Sequence, residues 1–255
     1  MLKNFIFIIY SIFSTLFEDL FFKYKKMPIK NNKLLEDGFD TIPLKKRIEI
    51  DLNDSKLIPI NPYLSKIKLT KSQINDYINQ IFKENGIAEY LFNNTGFKYF
   101  IAHVTAYQTT HIPKELRNEK FYANHWHRDG PYSKNTHKVI FPLSDISSEN
   151  GAMKIFKKND SDKFSFYSDL NDHINQYFEF ESTKYKNVFI FNPHLCYHTA
   201  GNPKKYLTRQ QLVFQINPAT SWSLSGDIFK TQLNREPKFP LLNYKLINKI
   251  KLNIS

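Results

Sequence analysis

From Lys98 onward the chain breaks into short apolar runs rich in Val, Ile, Phe, Tyr and Thr, each closed by Pro, Gly, Asn or Asp. YFIAHVTAYQ (99–108), HKVIFPL (137–143), AMKIF (152–156), NVFIF (187–191) and LTRQQLVFQI (207–216) carry the β-branched and aromatic residues that suit a pleated, half-buried surface. Strands of this length and spacing must bury a face against one another, which predicts a sandwich or barrel. Ahead of them, LTKSQINDYINQIFKENG (69–86) sets Ile74, Tyr77, Ile78, Ile81 and Phe82 at helical spacing, with Thr70 as cap and Gly86 at the end. Segment 27–43 is polar with turn formers and reads as a linker or loop, and 218–255 predicts no element. The expected class is mainly β with flanking helices, in one domain over 27–255 whose core spans about 98–218.

Composition supports a folded chain and narrows its partners. Hydrophobic residues make up 41% and aromatics 16%, well above the range of disordered chains. The formal charge of +12 comes largely from lysines scattered among Asn and Ile. It reads first as a compositional bias and second as an attraction toward anionic partners or membrane faces. No nucleic-acid motif accompanies it, so no nucleic-acid partner is expected. The single cysteine, Cys196, excludes an internal disulfide and a CxxC zinc site and fits a reducing compartment, so the expected location is cytoplasmic.

Residues 1–26 form a separate unit. FIFIIYSIFSTLF (5–17) is uncharged and is followed by Glu18, Asp19 and the basic FFKYKK. It falls short of the about 20 apolar residues a spanning helix needs, and it lacks the small-x-small site of a signal peptide. Helical spacing of Phe5, Ile9, Ile12, Phe13, Leu16 and Leu20 predicts a helix, packed on the domain or on a second subunit. The alternative is an interfacial anchor at the inner face of a membrane, with Lys23, Lys25 and Lys26 toward the headgroups.

Chemistry concentrates in HWHRDG (125–130). In extended backbone, residues two apart share a face, so His127 and Asp129 project together while Arg128 points away. An imidazole and a carboxylate need one more ligand to hold a cation facially. NVFIFNPHLCYHTAGNPKKYLTRQQLVFQ (187–215) offers His198. Two histidines and one carboxylate form the facial triad of non-haem Fe(II), which leaves positions open for a bidentate co-substrate and dioxygen. If the chain turns about Asn202 and Pro203, His198 and Arg209 share one face of a hairpin, and the guanidinium can grip the far carboxylate of a diacid through a two-pronged bond.

WHRDG (126–130), KVIFPLSDISSENGAMKIF (138–156) and His198 with Arg209 beyond it resemble the phytanoyl-CoA dioxygenase-like family of Fe(II)/2-oxoglutarate oxygenases over about 100–218. The resemblance implies a double-stranded β-helix, or jelly roll. It implies iron on His127, Asp129 and His198, 2-oxoglutarate on Arg209, and oxidation of a small-molecule, lipid or sugar-type substrate by dioxygen with release of succinate and carbon dioxide. Retention of Asp129 favours hydroxylation over halogenation.

The family's Pro-Gly-Ser-His turn is replaced by KKNDSD (157–162), and the small hydroxyl residue two beyond the distal histidine is Ala200, with Thr199 or Thr208 as substitutes. Arg128 stands where some relatives have glutamine. Tyr107 and Gln108 end a strand that this fold would bring near the co-substrate.

Of the other residues, His125 shares the face of His127 and is expected beside the pocket, and Trp126 is expected in the core. His103, His111, His137, His173 and His194 are read as surface or hydrogen-bonded core residues, Cys196 as a buried small hydrophobe, and Lys154 as solvent-facing. Competing readings are a non-catalytic metal-binding β-barrel and a membrane-associated accessory protein of an envelope pathway. The basic surface suggests an anionic substrate, and specificity is expected in 109–124, 157–186 and the C-terminal segment. Neither substrate identity nor oligomeric state is encoded legibly.

Overall fold

Alternation along three central strands sets the layers. The computed structural model describes residues 2–26, 32–48, 50, 55–164, 176–229, 239–243 and 249–254. In chain order the strands are β1 (Phe39–Pro43), β2 (Leu57–Asn61), β3 (Leu64–Ile67), β4 (Lys98–Thr110), β5 (His137–Pro142), β6 (Met153–Ile155), β7 (Phe178–Phe180), β8 (Asn187–Phe191), β9 (His198–Thr199), β10 (Thr208–Ala219), β11 (Ser223–Ser225) and β12 (Lys249–Lys251). The large sheet runs β1-β8-β5-β10-β4-β11-β12, with β3 also on β4 and β2 on β3, and the small sheet runs β7-β6-β9.

On β5, β8 and β10 one set of alternate residues, Val139, Phe141, Val188, Ile190, Leu212 and Phe214, packs with Ile74, Tyr77, Ile81, Phe82 and Leu91 of the helices. The opposite set, Ile140, Phe189, Phe191 and Val213, packs with Met153, Ile155 and Phe180 of the small sheet. Both faces of the large sheet are therefore apolar, and helices cover one while the small sheet covers the other. The molecule is a mainly β jelly roll with flanking helices.

The helical segment at 69–86 is present in two parts. An α-helix covers Lys71–Ile78 and continues as a π-helical stretch over Asn79–Glu84. Thr70 accepts from the Gln73 amide while Gln73 reaches back to the Thr70 amide, a reciprocal cap that fixes the start. Gly86, at φ +72°, takes the left-handed turn into the next helix, Ile87–Thr95, which the sequence reading missed.

The expected linker at 27–43 is not a loop in its second half. A helical turn occupies Lys33–Glu36, and β1 pairs antiparallel with β8 from Phe39↔Phe191 to Pro43↔Asn187. Residues 27–31 lie outside those described.

The first helix, α1 (Leu2–Phe21), lies on the domain through a side that carries Ser11, Ser14 and Glu18 together with Phe7 and Tyr10. Ser11 Oγ lies 2.8 Å from His194 Nε2, the Lys134 amide donates to Thr15 Oγ1 at 2.9 Å, and Asn135 Nδ2 donates to Glu18 at 3.3 Å. Burial pushes the Glu18 carboxyl up to about 8, against the pull of hydrogen bonds from Ser133 and Asn135. Among the described residues no helix is long and apolar enough to cross a membrane.

Candidate active site

His127 and His198 are locked to each other by backbone. The His127 amide donates to the His198 carbonyl at 3.0 Å, and the His198 amide returns the bond at 2.9 Å. His127 thus joins β9 through an isolated bridge rather than lying in a long strand. Two residues on, the Asp129 amide donates to the Pro193 carbonyl at 2.8 Å, which carries the carboxylate back to the same point.

The imidazoles are oriented from behind. His127 Nδ1 lies 2.7 Å from the His125 carbonyl and His198 Nδ1 2.9 Å from the Cys196 carbonyl. A carbonyl only accepts, so both Nδ1 atoms carry hydrogen, and Nε2 is the atom each neutral ring turns toward Asp129. His127 Nε2 sits 3.3 Å from Asp129 Oδ1 and His198 Nε2 3.8 Å from Oδ2. One ligand atom from each of the three residues lies within 4.8 Å of the other two, a spacing that can hold a metal ion.

Charge at this point is arranged for a cation. Burial would raise the Asp129 carboxyl, but Lys138, whose ammonium is 2.6 Å from Oδ2, and the two imidazoles hold it well below the usual carboxylate range. Burial, with the positive potential of His127, pushes His198 down to about 3, so its ring is neutral. Burial also pulls on His127, yet the bond and charge of Asp129 outweigh it and the net shift is upward. The carboxylate is ionised and the buried imidazole keeps its lone pair free.

These residues open onto a cavity of about 300 Å³ between the sheets. Its apolar wall is Ile140, Met153, Phe191 and Val213, and its polar members include Tyr107, Tyr122, Lys66, Lys138, Gln211 and Arg209. Gln211 faces Tyr107 and Arg209 faces Thr109 across the β10–β4 pair, so the strand that buries Leu212 behind the sheet turns Arg209, Gln211 and Val213 inward.

Arg209 is fully buried. Its Nη1 donates to the Gly151 carbonyl, whereas Nε and Nη2 make no hydrogen bond among the described residues. The Tyr122 hydroxyl is buried and unbonded in the same way. Burial pushes that phenol up to about 12 even though the Arg209 charge pulls it down. A buried guanidinium with two idle donors is costly unless an anion meets it. Its anchor depends on the ENG turn: Gly151 has φ +89°, and a Cβ there would meet the Gly201 carbonyl and the Pro203 ring at 2.9 Å.

No protein-family model matches this chain, and no curated protein matches it. Solved structures resemble it. HygX from Streptomyces hygroscopicus, crystallised with nickel and 2-oxoglutarate, aligns with a TM-score of 0.50 at 12% identity over 78% of this chain and 89% of its own. The non-heme alpha ketoglutarate dependent epimerase SnoN from nogalamycin biosynthesis aligns at 0.49 and 12% identity, over 73% and 81%. EctD from S. alaskensis in its apo form aligns at 0.48 and 11%, over 76% and 79%. At 12% identity the likeness to HygX is one of fold.

The remaining expected site residues divide. Tyr107 lines the cavity and accepts from Gln211. Gln108 points to the other side of β4 and accepts from Gln210 at 2.7 Å, so it is not placed to reach a ligand. Thr199 donates to the Ala123 carbonyl at 3.3 Å, and its neighbour Ala200 lines the cavity in its stead. Thr208 is exposed at the start of β10. The hairpin expected to join His198 to Arg209 does not form, because β9 pairs with β6 in the small sheet and β10 with β4 and β5 in the large one. The two residues face the same cavity from opposite walls.

His125 turns its ring to the Glu119 carbonyl and serves the site through its own carbonyl. Trp126 is packed on Phe156 and Tyr197, and Cys196 is buried. Lys154, expected in solvent, is half-buried and donates to the Tyr177 hydroxyl at 2.9 Å. His173 lies outside the described residues. Sequence reasoning missed Lys138, Tyr122 and Lys66. For Lys138 a signal existed: it precedes Ile140 by two on β5 and therefore shares its inward face.

Proposed function

We propose that this chain is a non-haem Fe(II)- and 2-oxoglutarate-dependent dioxygenase that oxidises a small molecule, by hydroxylation in the simplest case, with His127, Asp129 and His198 as the iron ligands and Arg209 as the co-substrate clamp. One observation carries the reading: a fully buried guanidinium, with two donors unbonded among the described residues, lines the same cavity as three converging ligand atoms. The motif order of the phytanoyl-CoA dioxygenase-like family supports it, as does a fold shared with HygX, a protein crystallised with nickel and 2-oxoglutarate.

The donor set fits the groups. Two neutral imidazole nitrogens and one carboxylate suit a divalent iron and leave coordination positions over, and the idle Nε and Nη2 of Arg209 match the far carboxylate of a diacid. When bound, iron and 2-oxoglutarate supply the oxidising chemistry, in which dioxygen is consumed and the diacid leaves as succinate and carbon dioxide. The chain's own residues do the rest. The Cys196 and His125 carbonyls keep both imidazoles in the ligand tautomer. Ile140, Met153, Phe191 and Val213 exclude water from the reacting end, and Tyr107 and Gln211 hold each other on the floor beside Arg209. Lys66 and Lys138 give the cavity a positive potential that favours an anionic substrate.

A structural metal site is the competing reading, and it has no use for a buried, half-bonded arginine. The test is anaerobic addition of Fe(II) and 2-oxoglutarate. The parent chain should develop a visible metal-to-ligand charge-transfer band and, on admission of air, release succinate. Asp129→Ala and His198→Ala should show neither. Metal binding without a 2-oxoglutarate-dependent band would leave the structural reading standing.

A further inference from the structure

The first helix is packed inside out. Around α1, Ser11, Ser14 and Glu18 are buried against the domain with Phe7 and Tyr10, while Phe5, Ile6, Ile8, Ile9, Ile12, Phe13, Leu16 and Leu20 face outward. Leu16 is 59% exposed and Leu20 76%. An amphipathic helix on a globular domain ordinarily does the reverse. The outward residues, Phe5 to Leu20, cover roughly half of the helix circumference along a length of about 23 Å, an apolar patch far larger than scattered surface residues make. Leu242, 62% exposed, lies in the segment that meets the other side of α1, where the Leu241 amide donates to the Tyr10 hydroxyl at 2.8 Å.

One edge of this face carries lysines, of which Lys23 pairs with Asp19 at 3.2 Å. Lys23 and Lys26 follow α1 directly and, with Lys134 and Lys158, rim a second cavity of about 400 Å³, floored by Leu34, Phe97 and Leu195. The cavity adjoins the apolar face, since Thr15 accepts from the Lys134 amide at 2.9 Å and Asp19 lies 3.5 Å from the Asn135 amide group.

We propose that α1 and this lysine rim form a docking surface for an anionic phospholipid bilayer. The helix would lie in the plane of the interface, its apolar side chains sunk about 5–10 Å and the lysines at headgroup level. Charge decides between a bilayer and a second copy of the chain. Two copies joined through α1 would bring two bodies of net charge +12 together along lysine-bearing edges, whereas an anionic leaflet complements them. The apolar arc is also wide and even, with no ridge of small residues to set a helix–helix register, and a lipid surface demands none. Membrane docking is independent of the chemistry assigned to the cavity between the sheets.

Sedimentation of the full chain with vesicles tests it. The chain should partition strongly onto phosphatidylcholine–phosphatidylserine vesicles and weakly onto phosphatidylcholine alone. Ile12→Glu with Leu16→Glu should abolish binding while the circular dichroism and melting midpoint stay unchanged, because both side chains are already in solvent. Lys23→Gln, Lys26→Gln and Lys134→Gln should each lower the partition coefficient about fivefold. Equal partition onto neutral vesicles, or none onto anionic ones, would overturn the proposal. So would a dimer in light scattering that Ile12→Glu dissociates in a chain that never binds vesicles.

Discussion

The Lys138 ammonium stands 2.6 Å from the Asp129 carboxylate, so the acid assigned to the metal already has a cation beside it. Lys138 reaches it from β5, inward on the same face as Ile140. Without a metal, the pair keeps a buried carboxylate neutralised. A divalent ion must compete with that ammonium.

Lys138→Met should therefore destabilise the metal-free chain by about 3 kcal/mol, the usual cost of breaking a buried pair. Added Mn(II) should return more stability to Lys138→Met than to the parent, because it meets an uncompensated Asp129. Thermal melts with and without Mn(II) measure this. An equal metal-induced shift in both chains would show that Lys138 does not compete for Asp129.

Glu18 predicts a pH dependence. Its carboxyl sits near 8 in the folded chain against an ordinary value near 4.5, so folding favours the protonated acid. The associated stability is fully present below about 4.5 and is lost as pH rises through about 8. The loss should be on the order of 3–5 kcal/mol. Glu18→Gln, which keeps the shape and removes the charge, should flatten urea-unfolding stability across that window and exceed the parent at its alkaline end. A parent whose stability is level there would contradict the placement of Glu18.

Gly151→Ala should lose about 1–3 kcal/mol of stability, since alanine is strained at φ +89° and its Cβ would press on the Gly201 carbonyl and Pro203 at 2.9 Å. It should also weaken 2-oxoglutarate binding, because the Gly151 carbonyl anchors Arg209. Calorimetric titration and melts on the same sample separate the two effects. A change in stability with unaltered co-substrate affinity would mean that the anchor does not position the guanidinium.

Much of the site was legible because its parts are local. His127 and Asp129 lie two apart, the strands around His198 and Arg209 announce themselves by alternation, and Thr70 signals its helix by capping chemistry. What stayed hidden depends on partners distant in sequence. FDTIP makes β1 only because β8 offers an edge from the far side of the chain. The GNP turn suggested a hairpin, whereas the chain crosses there from the small sheet to the large one, and no short pattern distinguishes the two. Periodicity found the apolar stripe of α1 but not which side the domain would cover. That choice rests on His194, Lys134 and Asn135 meeting Ser11, Thr15 and Glu18.

The most direct measurement is the 2-oxoglutarate requirement of the Arg209→Ala chain loaded anaerobically with Fe(II). A diacid gripped by the idle donors of a buried guanidinium should lose on the order of 2–5 kcal/mol, which raises the concentration for half-maximal charge-transfer absorbance by roughly thirty-fold or more, with Arg209→Lys failing to restore it. Half-maximal absorbance at the parent's concentration would show that Arg209 holds no carboxylate and that the cavity is not a 2-oxoglutarate site of the kind assigned.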